Sequence, residues 1–310
     1  MELLDGRMSA AAHRRLVQSA VEAHMNTLRV WGGGIWEPDA FFDACDELGL
    51  LLYTDMQFTW GSIGGTAQEA AELDYQLKRN SHHPSIAMWD GCNECGGKGL
   101  YESFVMPKVA SVDRSRPIWP SCPAFGWSSG VDRLSSRPNG KVLVTADAGE
   151  QGRPAGFPWP QEAHGPYTAF QRFTMPNITM PLASGNPSQN DPTAVPAWSG
   201  AQFQGWYRSE FGCTGWSSFE SMTGQMPPDQ WSMDSPAAAN RGSPGGGGGW
   251  NVSNVIQSYF GTAAVRALSE SGERAFKRQL YQSMIGQLLN LKTEIEAWRS
   301  QNVWGTTFWM

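Results

Sequence analysis

An α/β fold is predicted here because helical and strand-like segments alternate from His13 onward, and because the strand-like segments are apolar throughout. Strands apolar on both faces belong to a parallel sheet covered by helices, since the crossovers of a parallel sheet bury both of its sides. The helix–strand unit runs to about 30 to 35 residues, which suits a TIM (β/α)8 barrel.

The elements follow in order. Between His13 and His24, Leu16, Val17, Ala20 and Val21 fall on one helical stripe. Met25 to Trp31 is short, apolar and β-branched, a buried strand that gives way to a loop at Gly32, Gly33 and Gly34. Pro38 and Asp39 open a helix over Ala40 to Leu48, with Phe41, Phe42, Cys45 and Leu48 inward, and Gly49 stops it. Leu50 to Asp55 is a second buried strand. A helix over Gln68 to Asn80, a strand over Ser85 to Trp89, a helix near Leu100 to Ala110 and a strand over Arg116 to Ser121 repeat the unit. From 125 to 205 the rhythm breaks. Gly, Pro, Ser and Trp dominate, only Lys141 to Thr145 reads as a strand, and long loop-rich insertions of this kind are usually functional. Trp206 to Gly212 reads as a strand end. Residues 227–250, with glycine at every position from Gly245 to Gly249, read as a Gly-rich linker or surface loop. Helices over Asn254 to Leu268 and Arg274 to Ser300 lead to a last strand from Val303 to Met310. Residues 1–310 thus form one partial barrel with an insertion and a linker inside it.

Composition excludes several classes. A net charge of −6 leaves no basic stripe to neutralise phosphates, so no nucleic-acid partner is expected. No run of about 18 apolar residues is present to span a membrane, and Met1 to Ala12 lacks the apolar centre of a signal peptide. Asn177-Ile-Thr179 and Asn251-Val-Ser253 fit the glycosylation pattern, which leaves the compartment open. Five scattered cysteines make no disulfide framework; Cys92-Asn-Glu-Cys95 has redox or half-zinc spacing but no second pair accompanies it, so no metal is expected. There is no phosphate-binding glycine motif and no cofactor is implied. Fifteen tryptophans is high, and many neighbour Gly, Pro or Ser. Their flat faces suit either core packing or stacking on sugar rings, a choice left open for Trp36, Trp60, Trp127, Trp159, Trp198 and Trp206.

Active sites of such barrels lie at the carboxyl ends of the strands. The strand ends here offer Arg29 and Trp31, Asp55 and Gln57, then Asp90, Asn93 and Glu94, then Ser209 and Glu210, and finally Trp309. Glu94 and Glu210 stand out as carboxylates that close apolar strands rather than decorate helices. Cleavage of a glycosidic bond with retention needs one carboxyl group to protonate the leaving oxygen and a second, roughly 5 Å away, to attack the anomeric carbon. The acid must hold its proton near neutrality through burial and its anionic neighbour, and the nucleophile must stay ionised, which a cation such as Arg29 favours. Asp55 and Asp90 suit structural hydrogen bonding as well as substrate contact. His82 and His83 fit a turn at a helix end.

Arg29-Val-Trp-Gly-Gly-Gly-Ile-Trp-Glu-Pro-Asp39, continuing to Gly49, resembles the second-strand region of β-mannosidases in glycoside hydrolase family 2. Arg79 to Glu94 resembles that family's fourth strand with its Asn-Glu end, Ser209-Glu-Phe-Gly212 its seventh, and Gly305 to Trp309 the start of its eighth. The resemblance implies a retaining exo-β-glycosidase, with Glu94 as acid/base, Glu210 as nucleophile and Asn93 at the sugar 2-hydroxyl. It also implies Arg29 beside the nucleophile and Trp31 and Trp309 as aromatic substrate contacts. His164, by its place in the aromatic insertion rather than by the resemblance, is read as a residue lining the pocket. The substrate class is a β-linked oligosaccharide or glycoprotein glycan, and a lysosomal or secreted location agrees with the family. Related specificities (β-glucosaminidase, β-glucuronidase, β-galactosidase, endo-β-mannosidase) and an inactive carbohydrate-binding barrel remain as alternatives. The family also carries N-terminal and C-terminal β-domains and a first barrel strand before His13. On that comparison the chain is a fragment with the first strand missing, and it is expected to fold poorly or be inactive alone, because an incomplete barrel leaves sheet edges unpaired.

Overall fold

A computed structural model of the chain describes residues 9–60, 63–95, 101–119, 121–122, 132–133, 162–164, 207–212, 214–241, 252–300, 303 and 305–309. Most of the 125–205 insertion lies outside the described residues, including the strand expected at Lys141 to Thr145 and Trp127, Trp159, Trp198 and Trp206. The chain divides into two compact units, Met1–Ala163 and His164–Met310.

In the first unit the alternation is realised as α1 (Ala10–Glu22), β1 (Thr27–Val30), α2 (Asp39–Leu48), β2 (Leu51–Asp55), α3 (Ala67–Asn80) and β3 (Ile86–Asp90). A π turn (Tyr101–Val105) then runs into α4 (Met106–Val112), followed by β4 (Pro117–Trp119) and β5 (Asp132–Arg133). Local chemistry sets the helix ends. The Ser9 hydroxyl accepts from the Ala12 amide at the start of α1, and Thr66 and Glu69 form a reciprocal capping box on α3. Gly49 ends α2 at φ 74°, a left-handed conformation open to a residue without a Cβ. The buried face of α1 differs from the expected stripe. His13, Val17 and Ala20 are inside while Leu16 is exposed, because His13 packs edge-on against Phe41 with ring centroids 6.1 Å apart.

Strands β1 to β4 are mutually parallel, in that spatial order, and β5 adds antiparallel to β4. Their register matters for the site: Arg29 lies opposite Tyr53, and Asp55 opposite Asp90. Polar residues near the carboxyl ends of three strands are thereby brought to one level. The helices cover the sheet, with Val17, Phe42, Cys45, Leu73, Leu77 and Val109 packed against Leu52, Ile86, Trp89 and Ile118 in one apolar cluster.

A second group of buried polar contacts lies around Asp113 and Arg116. The Trp89 indole N–H donates to Asp113 Oδ2 at 2.9 Å, and Asp113 also pairs with Arg116. The Arg116 guanidinium donates to the carbonyls of Ser81, His83 and Ile86. One side chain therefore ties the end of α3 and the start of β3 to β4. His83 holds the intervening turn as expected: its Nδ1 lies 2.7 Å from Asp46 Oδ2 and its ring stacks on Phe42.

The second unit contains β7 (Tyr207–Phe211), α5 (Phe219–Thr223), α6 (Pro236–Arg241), α7 (Val252–Arg266), α8 (Glu273–Ser300) and β8 (Gly305–Phe308); the short strand β6 (Glu162–His164) falls at the division between the units. β7 is buried along its length and pairs parallel to β8, Tyr207 opposite Gly305 and Phe211 opposite Phe308. Gly305 is required there, since a Cβ would sit 2.3 Å from the Tyr207 ring. The expected helix over 254–268 breaks at Gly261, at φ 81°.

The linker expected over 227–250 is structured in its first part. Pro228–Gln230 is a 3₁₀ turn, and α6 follows it. Met222, Met226, Trp231, Met233 and Ala238 cluster on Phe276 and Leu280 of α8. The Ser232 hydroxyl donates to the Leu268 carbonyl at 2.7 Å, and the Gln279 side chain accepts from the Met233 amide at 2.9 Å. Apolar residues spaced through that stretch outweigh its glycines, which concentrate beyond residue 241, outside the described residues.

Replacing Asp113 by alanine removes the acceptor of a fully buried indole N–H. The expected cost is about 1–3 kcal/mol of unfolding free energy, read from urea denaturation of the variant beside the parent; an unchanged midpoint would show that the clamp carries no stability.

Candidate active site

The site in the first unit is built on a buried ion pair. Arg29 on β1 donates from Nε to Asp55 Oδ1 at 3.1 Å and from Nη2 to Asp55 Oδ2 at 2.7 Å, a two-point contact between side chains almost wholly removed from solvent. The Asp55 carboxylate also accepts the Gly32 amide at 2.9 Å. The same Nη2 reaches Asn93 Oδ1 and Cys122 Sγ, each at 2.7 Å, and the guanidinium lies 5.3 Å from the centre of the Tyr53 ring. Burial opposes the charge on Arg29, but Asp55 and its other partners outweigh that, and its pKa is raised.

Beside the pair, Tyr53 donates to Asp90 Oδ2, and Asp90 Oδ1 accepts the Cys92 amide at 2.9 Å. Burial, and then the Asp55 charge, push the Asp90 carboxyl up to about 8. Two carboxylates at one level are thus distinguished by their neighbours. Asp55, facing the guanidinium, carries the charge, and Asp90 takes the proton at neutrality. Asp55, Asp90 and Cys122 converge closely enough to resemble a cation site. Arg29 already bonds two of the three, so a metal ion would have to displace the guanidinium.

Above this layer runs the loop Cys92 to Cys95. Asn93 is buried and bridged to Thr59 and Cys122 on either side, and its amide nitrogen donates to Thr59 Oγ1 at 3.1 Å. Its carbonyl accepts the Trp60 amide, and its own amide donates to Phe58. Glu94 follows at φ 55°, in the left-handed region that non-glycine residues seldom occupy. Its amide donates to the Cys122 carbonyl at 2.5 Å, and its carboxylate accepts the Trp60 indole N–H at 2.5 Å. Trp60 is itself at φ 51° and 69 % exposed, with its ring edge-on to Trp31 at 6.1 Å. The glycine loop makes this approach possible. A Cβ on Gly32 would lie 2.4 Å from the Phe58 carbonyl oxygen, and one on Gly33 would collide with the Trp31 ring.

Arg29 reaches Asn93, and Glu94 meets Trp60, whose ring lies against Trp31. Glu94 does not close β3, which ends at Asp90; it projects from the loop four residues later. Tyr53, Asp55, Asp90, Cys122 and Trp60 complete the arrangement. Asp55 and Asp90 were visible as polar ends of apolar strands, and Trp60 as an aromatic beside glycine. Nothing in the sequence pairs Cys122 or Tyr53 with Arg29.

In the second unit Glu210 sits on β7, 7 % exposed. The neighbouring Ser209 carbonyl accepts from the Thr307 hydroxyl of β8, and the Trp309 amide donates to the Phe211 carbonyl at 2.6 Å. A Cβ on Gly212 would lie 2.2 Å from the Trp309 carbonyl oxygen, so glycine permits the close passage of the two strand ends. Trp309 is partly exposed. His164 ends β6, and its side chain lies outside the described residues.

Sequence comparison relates the chain to known proteins. The chain is 27 % identical over 307 residues to a β-mannosidase of Rattus norvegicus, an alignment covering 91 % of the chain and 30 % of that protein. It is 48 % identical over 136 residues to the β-mannosidase of Mus musculus, covering 36 % of the chain and 16 % of that protein. The chain is thus similar in sequence to β-mannosidases. No family model matches it. Its fold agrees with that of the β-D-mannosidase of Dictyoglomus thermophilum, with a TM-score of 0.64 and 23 % identity over 98 % of this chain and 33 % of that one. The β-mannosidase-like chain spans about a third of the length of the relatives that it matches along most of its own length.

The proton on Asp90 has a consequence for stability. Its folded pKa lies above the unfolded value, so the contribution is complete below about 4 and is lost as pH rises through about 8. Asp90→Asn, which mimics the protonated state, is expected to flatten the pH dependence of thermal unfolding between those limits. A variant with the parent's slope would place the proton elsewhere.

Proposed function

We propose that this chain carries the catalytic (β/α)8 barrel region of a retaining exo-β-mannosidase of glycoside hydrolase family 2, acting on terminal β-linked mannose. Glu94 is the acid/base and Glu210 the nucleophile. The observation that carries the reading is the Asn93–Glu94 loop, locked on one side to the buried Arg29–Asp55 pair and on the other to Trp60 and Trp31. That arrangement offers an amide and a carboxyl group beside exposed aromatic surface, which suits a sugar ring with an apolar face and a rim of hydroxyls.

Each group has a role that its position supports. The Trp60 indole N–H fixes the direction of the Glu94 carboxyl group, and the partly exposed position of Glu94 lets it meet a leaving oxygen and later a water. Asn93 has its Oδ1 committed to Arg29 and its Nδ2 to Thr59, which fixes the plane of the amide and leaves the second Nδ2 proton to approach a sugar hydroxyl. Glu210, nearly enclosed on β7, suits attack in a site from which water is excluded. The reaction requires the two carboxyl groups about 5–5.5 Å apart. Glu210 attacks the anomeric carbon as Glu94 gives its proton to the departing oxygen; Glu94 then takes a proton from water as that water releases the sugar. Trp309 and Trp31 supply stacking surface, and His164 is assigned to the pocket rim. The specificity of the β-mannosidase relatives favours mannose over glucuronic acid, galactose or N-acetylglucosamine.

Glu210→Ala, made in the protein as it is encoded, is expected to abolish hydrolysis of an aryl β-mannoside, with azide restoring part of it as the inverted glycosyl azide. Wild-type turnover in that variant would remove the nucleophile assignment. Glu94→Gln should lower kcat by about 10²–10⁴-fold for a poor leaving group and far less for dinitrophenolate, which needs no protonation. An equal loss for both leaving groups would argue that Glu94 is not the acid. Proton NMR of the first-formed sugar tests retention directly, and parallel aryl glucuronides, galactosides and glucosaminides test the sugar.

A further inference from the structure

We propose that Cys92 and Cys95 are a thiol–disulfide couple that fixes the loop between them, so that the oxidation state of the pair sets how firmly Glu94 is held. The consequence for turnover rests on the acid/base reading of Glu94. The Cα atoms of the two cysteines are 5.7 Å apart, a span that a disulfide can bridge. Only Asn93 and Glu94 lie inside the ring so closed.

Each end of that ring is anchored independently. The Cys92 amide donates to Asp90 Oδ1 at 2.9 Å and the Cys95 amide to Ser121 Oγ at 3.2 Å. Both sulfurs lie 3.6 Å from the Asn93 carbonyl oxygen. Between these anchors Glu94 keeps φ at 55°, a conformation that persists only where its surroundings hold it. Opening the ring returns backbone freedom to the residue that most needs to be held, and lets Glu94 relax toward negative φ, away from the Trp60 indole.

The pair is also where oxidation would act. Cys92 is buried and Cys95 is partly exposed, so one sulfur is reachable and the other stands behind it. The other described cysteines are enclosed. Cys45 is buried and its thiol is pushed up to about 12 by burial and then by Asp46 and Glu37, while Cys122 lies against Arg29 and Asn93. With glutathione disulfide as oxidant, the Cys95 thiolate attacks one glutathione sulfur and releases one glutathione. The Cys92 thiolate then attacks Sγ of the mixed disulfide and releases the second. Two cysteine thiols and one small disulfide become one protein disulfide and two small thiols, the cysteine protons passing to the departing thiolates.

The test is equilibration of the protein as it is encoded in glutathione redox buffers, with alkylation mapped by mass spectrometry and amide exchange followed at Glu94. Cys92 and Cys95 are expected to change state together while Cys45 and Cys122 stay reduced. The Glu94 amide should exchange severalfold more slowly when the pair is oxidised. The double variant Cys92→Ser, Cys95→Ser should match the reduced protein at every buffer ratio. Thiols that remain reduced throughout, or Glu94 exchange that ignores oxidation, would overturn the proposal without reference to turnover. Glu94→Gln separates the two readings. If it keeps turnover while exchange still follows oxidation, the acid/base role fails and the couple stands. If it loses turnover while exchange does not respond, the couple fails alone.

Discussion

The Arg29–Asp55 pair is the constraint around which the first unit's site is arranged. A guanidinium this deeply buried is tolerable only when its charge is matched, and Asp55 meets it at two points while the same Nη2 also faces Asn93 and Cys122. Each of those partners is on a different segment. The pair therefore decides where β1, β2, the loop after β3 and the segment following β4 can lie relative to one another. Removing either charge would strand the other in the interior, a cost far larger than that of an exposed ion pair. The parallel register is what makes the match possible, by bringing Arg29, Asp55 and Asp90 to neighbouring levels.

From that pair, rigidity passes outward to Glu94 in short steps. Arg29 orients the Asn93 amide, and Asn93 is bracketed by Thr59 and Cys122 through backbone bridges. The Cys122 carbonyl takes the Glu94 amide, and Trp60, hung from the Asn93 carbonyl, takes the carboxylate. Two non-glycine residues in left-handed conformations, Trp60 and Glu94, meet through that last bond. Strain at two positions joined by a hydrogen bond is characteristic of a site whose geometry is held by its surroundings rather than by local preference. Asp55 and Asp90 serve the same end. They sit side by side yet in different surroundings: Asp55 faces the guanidinium, while burial and the Asp55 charge raise the Asp90 carboxyl.

Much of this was legible in the sequence, for identifiable reasons. Largely apolar runs such as Leu50 to Thr54 and Ser85 to Trp89, bounded by turn residues, point to buried strands, and Gly49 marks a helix end by its freedom to adopt positive φ. Polar residues at the ends of such strands have few reasons to be there except chemistry or hydrogen bonding, which is why Arg29, Asn93 and Glu94 are the candidates the sequence offers. Other features were hidden. The Arg116 clamp spans more than thirty positions to the Ser81 carbonyl, and backbone carbonyls carry no side-chain signature. Residues 227–241 read as linker because proline and the following glycines dominate their composition. Their burial depends instead on Trp231, Met233 and Ala238 meeting Phe276 and Leu280, a tertiary match that no local pattern announces.

The placement of glycine shows that the close approaches depend on one another. Gly32 lets the loop after β1 pass against the Phe58 and Met56 carbonyls while its amide reaches Asp55, and Gly33 accommodates the Trp31 ring. Any side chain at Gly32 would push this loop off β2 and break the amide contact to the carboxylate that compensates Arg29. The same step would withdraw Trp31 from Trp60, and with it the aromatic surface beside Glu94. A loop that a composition-based reading assigns to flexibility is in fact among the most tightly packed parts of the site, because here the absence of a side chain serves proximity rather than motion.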